Sequence, residues 1–131
     1  YYENRLSDMQ QMALHNPAQP PLVMIVNAIN EHTPLRFDQI AFFRFLSERK
    51  LWEVVLTDGS SCLLRHKTTA DTILNYSKDF VQIHKHYIVN IQMIAKIQDT
   101  LCILRPPLEG IDELRISKNY RHTLLSTFYN L

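Results

Sequence analysis

Asp58-Gly59 stands between two apolar stretches, Leu51 to Thr57 and Ser60 to Arg65, and constrains the fold more than any other feature of the chain. An Asp-Gly link supplies the positive backbone φ that a tight hairpin turn needs, so the flanking stretches read as an antiparallel pair. The rest of the sequence repeats the theme. Leu22 to Ile29 is a continuous apolar run, expected to be a well-covered strand, with Thr33 to Phe37 as its hairpin partner. Asp38-Gln39-Ile40 reads as a turn, Ala41 to Leu46 as a strand, and Ser47 to Lys50 as a polar connection. Strands follow near 81–84, 86–89, 94–98 and 101–105, the last ended by Pro106-Pro107, and Leu114 to Ile116 adds a short one. Helical signals are fewer. Thr68 or Thr69 can cap a short helix within 68–78, and Ser117 a closing helix on which Tyr120, Leu124, Leu125 and Phe128 share a face. The chain therefore reads as mainly β, with one short central helix and a C-terminal helical segment.

A different pattern precedes Leu22. Leu6, Met9, Met12 and Ala13 recur at three- and four-residue spacing, which suits a short amphipathic helix, and Pro17, Pro20 and Pro21 then break it. Residues 1–21 are accordingly expected to be a linker helix and Pro-rich hinge from an upstream domain, and 22–131 the domain proper. The chain opens on Tyr1 and is read as a fragment of a longer protein. At 131 residues, 46% of them hydrophobic, it can bury a core. It holds no apolar run long enough to span a bilayer and nothing like a signal peptide, so a cytoplasmic location is expected. Cys62 and Cys102 lack metal-ligand spacing and read as reduced thiols. Gly59 and Gly110 are the only glycines, too few for a phosphate-cradling loop, a dinucleotide fingerprint or a nucleophile elbow.

The net charge of +1 says little about partners, but its distribution says more. From Phe80 to Asn90 apolar and polar residues alternate as in a half-buried strand, with His84, Lys85, His86 and Asn90 as the polar set, and no acid lies between Asp79 and Asp99. Residues 114–131 carry Arg115, Lys118, Arg121 and His122 and no acid, while Arg44, Arg49 and Lys50 stand against Glu48. Such segments suit a surface that meets phosphate oxygens and base edges. Scattered surface charge is the bland alternative.

The run from Phe80 to Asn90 resembles the signature of the LytTR DNA-binding domain, roughly F-x-R-x-H-R/K-S-Y-x-V-N. Phe80, His84, Lys85, Tyr87, Val89 and Asn90 match it; Gln82 and His86 stand where Arg and Ser are usual. Leu114 to Tyr120 resembles the family's V-S-R-x-Y element through Ser117 and Tyr120, with Lys118 for the common Arg. Ile40-Ala41-Phe42-Phe43 resembles an early family strand, with Arg44 where an acid is common. The resemblance covers about residues 22–129. It implies elongated antiparallel sheets and binding of double-stranded DNA through the major groove, with two domains on adjacent repeats as a homodimer. It implies a bacterial transcription regulator of the response-regulator, two-component kind, with a receiver or sensory domain upstream. The contact residues it implies are Arg49, Lys50, His84, Lys85, His86, Lys118, Asn119 and Arg121. Lys in place of Arg loses the bidentate fork, which would soften base reading at Lys85 and Lys118.

Other readings compete. Asn90 suits closure of a turn by side-chain-to-backbone bonding, and Tyr87, Ile88 and Val89 suit the core. His84, His86 and His66 could be gathered around zinc, but a structural zinc wants four closely spaced N/S ligands, so no metal is expected. His122, Asp112 and Ser117 make a triad only on paper, so neither catalysis, a cofactor nor a small-molecule substrate is expected. The alternative function is a β-rich interaction or regulatory domain that binds no DNA; it gains if Lys50, Lys85 and Lys118 point to different faces.

Overall fold

The computed structural model describes residues 22–129, so the expected linker helix and hinge lie outside the described residues. The strands are β1 (Leu22–Val26), β2 (His32–Arg36), β3 (Ile40–Leu46), β4 (Leu51–Leu56), β5 (Ser61–Leu63), β6 (Phe80–His84), β7 (Tyr87–Asn90), β8 (Ile94–Gln98) and β9 (Leu101–Leu104). Among the described residues two helices join them, α1 (Ala70–Leu74) and α2 (Lys118–Tyr129), with 3-10 turns at Phe37–Gln39 and Ile91–Met93. Every strand pair is antiparallel. A five-stranded sheet of order β5-β4-β3-β7-β6 is the centre, and β1-β2 and β8-β9 are separate two-stranded sheets.

Local chemistry sets the joints. Gly59 takes φ +91° at the β4–β5 turn, where the Asp58 carboxylate accepts from Ser60 N at 2.8 Å and Ser60 Oγ at 2.6 Å. Those bonds hold the Asp58 carboxyl below the usual range. Thr69 caps α1 by accepting from Thr72 N at 3.2 Å.

Two buried clusters sandwich the central sheet. One gathers Ala41, Phe42, Val81, Ile83 and Val89 with Leu104, Leu114 and Leu124 from β9, the following segment and α2. The other gathers Ile40, Phe43, Trp52, Phe80 and Ile88 with Val23, Ile25 and Ile73 from β1 and α1. A register shift between Ile40 and Phe42 accompanies the placing of Ala41 and Phe42 in the same cluster, which simple alternation would separate. Both faces of the sheet are thus covered. The alternation read from Phe80 holds in Val81 and Ile83, buried in one cluster, with Gln82 and His84 less buried between and after them, while Phe80 packs into the other cluster.

Two further expectations need correction. The run from Leu22 ends as a strand at Val26 and is covered on one face only: Leu22 and Met24 are 66% and 53% exposed. The β1-β2 hairpin presses Val23 and Ile25 inward, and pleating turns the intervening residues out. Leu114 to Ile116 forms no strand but a single bridge, Leu101 to Arg115. On α2, Leu124 is fully buried, and Phe128 at the far end of the same face is 44% exposed.

Cys62 and Cys102 are free thiols, and burial pushes Cys102 up to about 11. No helix among the described residues is long and apolar enough to cross a membrane.

Candidate nucleic-acid interface

Strand register decides which basic segments meet. β3 pairs β7 with Phe43 opposite Ile88 and Arg44 opposite Tyr87, so the end of β3 lies beside the start of β7. The β3–β4 turn and the β6–β7 turn therefore share one end of the sheet. Pairing runs on past the strands: Phe45 N donates to His86 O at 2.8 Å, and the Phe45 and His86 rings lie 5.3 Å apart. The start of α2 joins the same end, since Ser117 N donates to Ile83 O at 2.7 Å. Arg49 and Lys50, then His84 to His86, then Lys118 and Asn119 are brought together from three remote parts of the chain.

Each turn is held by its own chemistry. Arg49 N and Lys50 N both donate to Leu46 O, at 3.1 and 2.7 Å, and Lys50 closes the turn at φ +56°. That left-handed conformation is unusual for a non-glycine residue. In the β6–β7 turn, His84 Nδ1 accepts the His86 backbone N–H at 3.1 Å, which puts the ring proton of the neutral imidazole on Nε2. Gln82 Nε2 donates to Lys85 O at 3.4 Å. The His84 ring also meets Tyr87 edge-on at 5.6 Å. Lys85, Lys118 and Asn119 are exposed, and His84 and His86 are half-buried.

The electrostatics are lopsided. Among the described residues, none of Arg49, Lys50, Lys85 or Lys118 is in an ion pair. Arg44 is different: it reaches Glu53 at 2.7 Å and Glu113 at 2.6 Å. Burial opposes its charge, but the two carboxylates outweigh that and raise the guanidinium pKa. Glu53 stands directly opposite Arg44 in the register, so the cation is met from the neighbouring strand. Arg121 is also engaged, donating from Nη1 to Asp99 O in the β8–β9 turn at 2.9 Å, which places it towards that turn. The first turn of α2 holds no acid, so the positive end of the helix dipole is left uncompensated there. Among the described residues no cluster of three or more His, Cys, Asp or Glu could hold a metal ion.

The sequence family model of the LytTr DNA-binding domain matches residues 30–128. The chain belongs to the LytTr DNA-binding domain family. Among solved structures it is similar to the LytTr DNA-binding domain of a response regulator from Bacillus cereus, with TM-score 0.55 and 14% identity over 84% of this chain and 97% of that one. At that identity the likeness concerns the fold. Comparison with curated protein sequences gives no match. The LytTr match begins after β1, so β1 lies outside it.

Two supports of the LytTr turn escaped the sequence reading. Phe45, read as one more strand residue, is the platform on which the His86 ring rests. Gln82, read as a departure from the motif, braces the turn backbone at Lys85. A polar residue three positions before a hairpin tip is a weak signal for such a brace, and nothing in the sequence pairs Phe45 with His86.

Proposed function

We propose that this domain binds double-stranded DNA sequence-specifically as the output domain of a bacterial transcription regulator of the two-component type. The contact surface is the sheet end carrying Arg49, Lys50, His84, Lys85, His86, Lys118 and Asn119, with Arg121 at its margin towards the β8–β9 turn. The observation that carries this reading is the convergence of three basic segments, remote in sequence, through the β3–β7 register and the Ser117 to Ile83 hydrogen bond. Lysines outside ion pairs anchor phosphates by releasing condensed counterions, and an acid-free helix start favours an anion. In this reading residues 1–21 lead from an upstream receiver or sensory domain, 22–131 form the DNA-binding unit in the cytoplasm, and two copies occupy adjacent major-groove repeats.

The test is binding to random-sequence and selected duplexes at two or more salt concentrations. With four to six phosphates neutralised, log K against log salt should fall with a slope of about −4 to −5. Lys85→Ala should weaken binding and flatten that slope by about one. An unchanged slope with weaker binding would make Lys85 a base reader, and no change in either would remove it from the interface.

Asn119 separates reading from anchoring. Being uncharged, it gains nothing from counterion release, so its use on DNA is a paired hydrogen bond to a base edge, worth about 1–3 kcal/mol of discrimination. Asn119→Ala is expected to reduce the ratio of specific to non-specific affinity at one base position while non-specific binding at the same salt is kept. An intact ratio would mean that Asn119 reads no base.

A further inference from the structure

The β6–β7 tip carries two imidazoles where the LytTR-type motif has one, because His86 stands in place of the usual serine. The two ring centroids are 5.7 Å apart, and their roles are not equivalent. His84 Nδ1 is occupied by the His86 backbone N–H, so only Nε2 of His84 remains to donate outward. The His86 ring is half-buried against Phe45.

The charged and titratable groups around His86 come from five places. Its own turn supplies His84 and Lys85, and β7 supplies Tyr87. β3 offers Phe45, which does not titrate, and Arg44, which is paired with Glu53 and Glu113. The neighbouring turn supplies Glu48, Arg49 and Lys50, and the start of α2 supplies Lys118. Among these described residues the positive groups outnumber the acid Glu48, which is in no ion pair with another described residue.

We propose that His86 is a proton-coupled DNA contact, uncharged in the free domain and protonated when a phosphate oxygen lies against this hairpin tip. The proposal rests on the DNA-binding reading above. Burial, then Lys85 and His84, hold the free His86 imidazole below the usual histidine range. A phosphate at the tip supplies an opposite charge and raises the imidazole pKa in the complex. Binding then takes up a proton between the two values. Affinity rises as pH falls through the bound-state value and levels off below the free-state value. The contact makes DNA affinity sensitive to pH in a range where phosphates and paired bases do not titrate.

The experiment measures anisotropy of a labelled random-sequence duplex pool at fixed ionic strength from about pH 8 to about pH 5.5, for the wild type and for His86→Ser. Serine is the residue of the family motif, so the variant keeps a side chain this turn accommodates. The chain carries five other histidines, so the difference between the two proteins is what is read. The wild type is expected to gain about tenfold more affinity on acidification than His86→Ser, as a one-unit difference between bound and free pKa requires. The His86 ring, followed by NMR, should titrate at higher pH in the complex than alone. Parallel pH profiles for the two proteins, or a His86 ring whose titration does not move on binding, would overturn the proposal while leaving DNA binding intact. Absence of duplex binding by the wild type at every pH would instead remove the DNA-binding reading itself, and this proposal with it.

Discussion

Phe43→Ala is expected to lower the unfolding free energy by about 3–5 kcal/mol, which approaches the whole stability of a small domain. Phe43 is fully buried in the middle strand of the central sheet. Its ring meets Phe80 edge-on at 5.1 Å and Tyr76 at 6.3 Å, and Phe80 in turn stacks on Phe37 at 5.2 Å. This side chain therefore joins β3 to β6 and the segment after α1, and through Phe80 to the first 3-10 turn. Truncation removes the transfer energy of the ring and leaves a cavity that paired strands on both sides cannot close. Phe43→Leu keeps much of the apolar volume and should recover a large part of the loss. Urea denaturation checks both variants: the midpoint should fall with the slope unchanged. A loss below about 1 kcal/mol for Phe43→Ala would mean that the site collapses freely and that this cluster does not hold the sheet.

What could be read from the chain before folding follows the range of the interactions. The β4–β5 hairpin was legible because Asp58-Gly59 fixes it within a few residues, and α1 because Thr69 caps it locally. The apolar run at Leu22 misled, because composition does not reveal which face of a two-stranded hairpin is covered. The left-handed conformation of Lys50 carries no sequence mark, since glycine would be the usual residue there. Arg44 and Glu113 are 69 positions apart, and their ion pair depends on how the segment before α2 crosses the sheet. The candidate interface has the same character. Its residues were legible one by one as basic segments and through the motif resemblance. Their convergence is set by the β3–β7 register and by one backbone hydrogen bond from Ser117, both long-range.

Asn90→Ala is expected to destabilise the domain by about 3 kcal/mol, although it removes only a small polar side chain. Asn90 is the one fully buried polar residue among the described residues. Its Nδ2 donates to Ile40 O at 2.9 Å and Phe37 O at 3.3 Å, and its Oδ1 accepts from Gln92 N at 3.0 Å. The side chain thus closes the second 3-10 turn, as the sequence suggested, and also ties the end of β7 to the start of β3, which the sequence did not reveal. Alanine leaves two buried carbonyls without these donors. The near-isosteric Asn90→Asp separates shape from hydrogen bonding. An aspartate can still accept from Gln92 N, but its anion faces the carbonyls of Phe37 and Ile40. Burial raises such a carboxyl's folded-state pKa, so its destabilisation is full above that value and relieved as pH falls towards the unfolded-state value of about 4. Compared with the wild type at each pH, Asn90→Asp should be much the less stable at neutral pH and recover part of the difference in acid. A deficit that stays constant with pH would show that the lost donors alone, and not a buried charge, set the effect at this position.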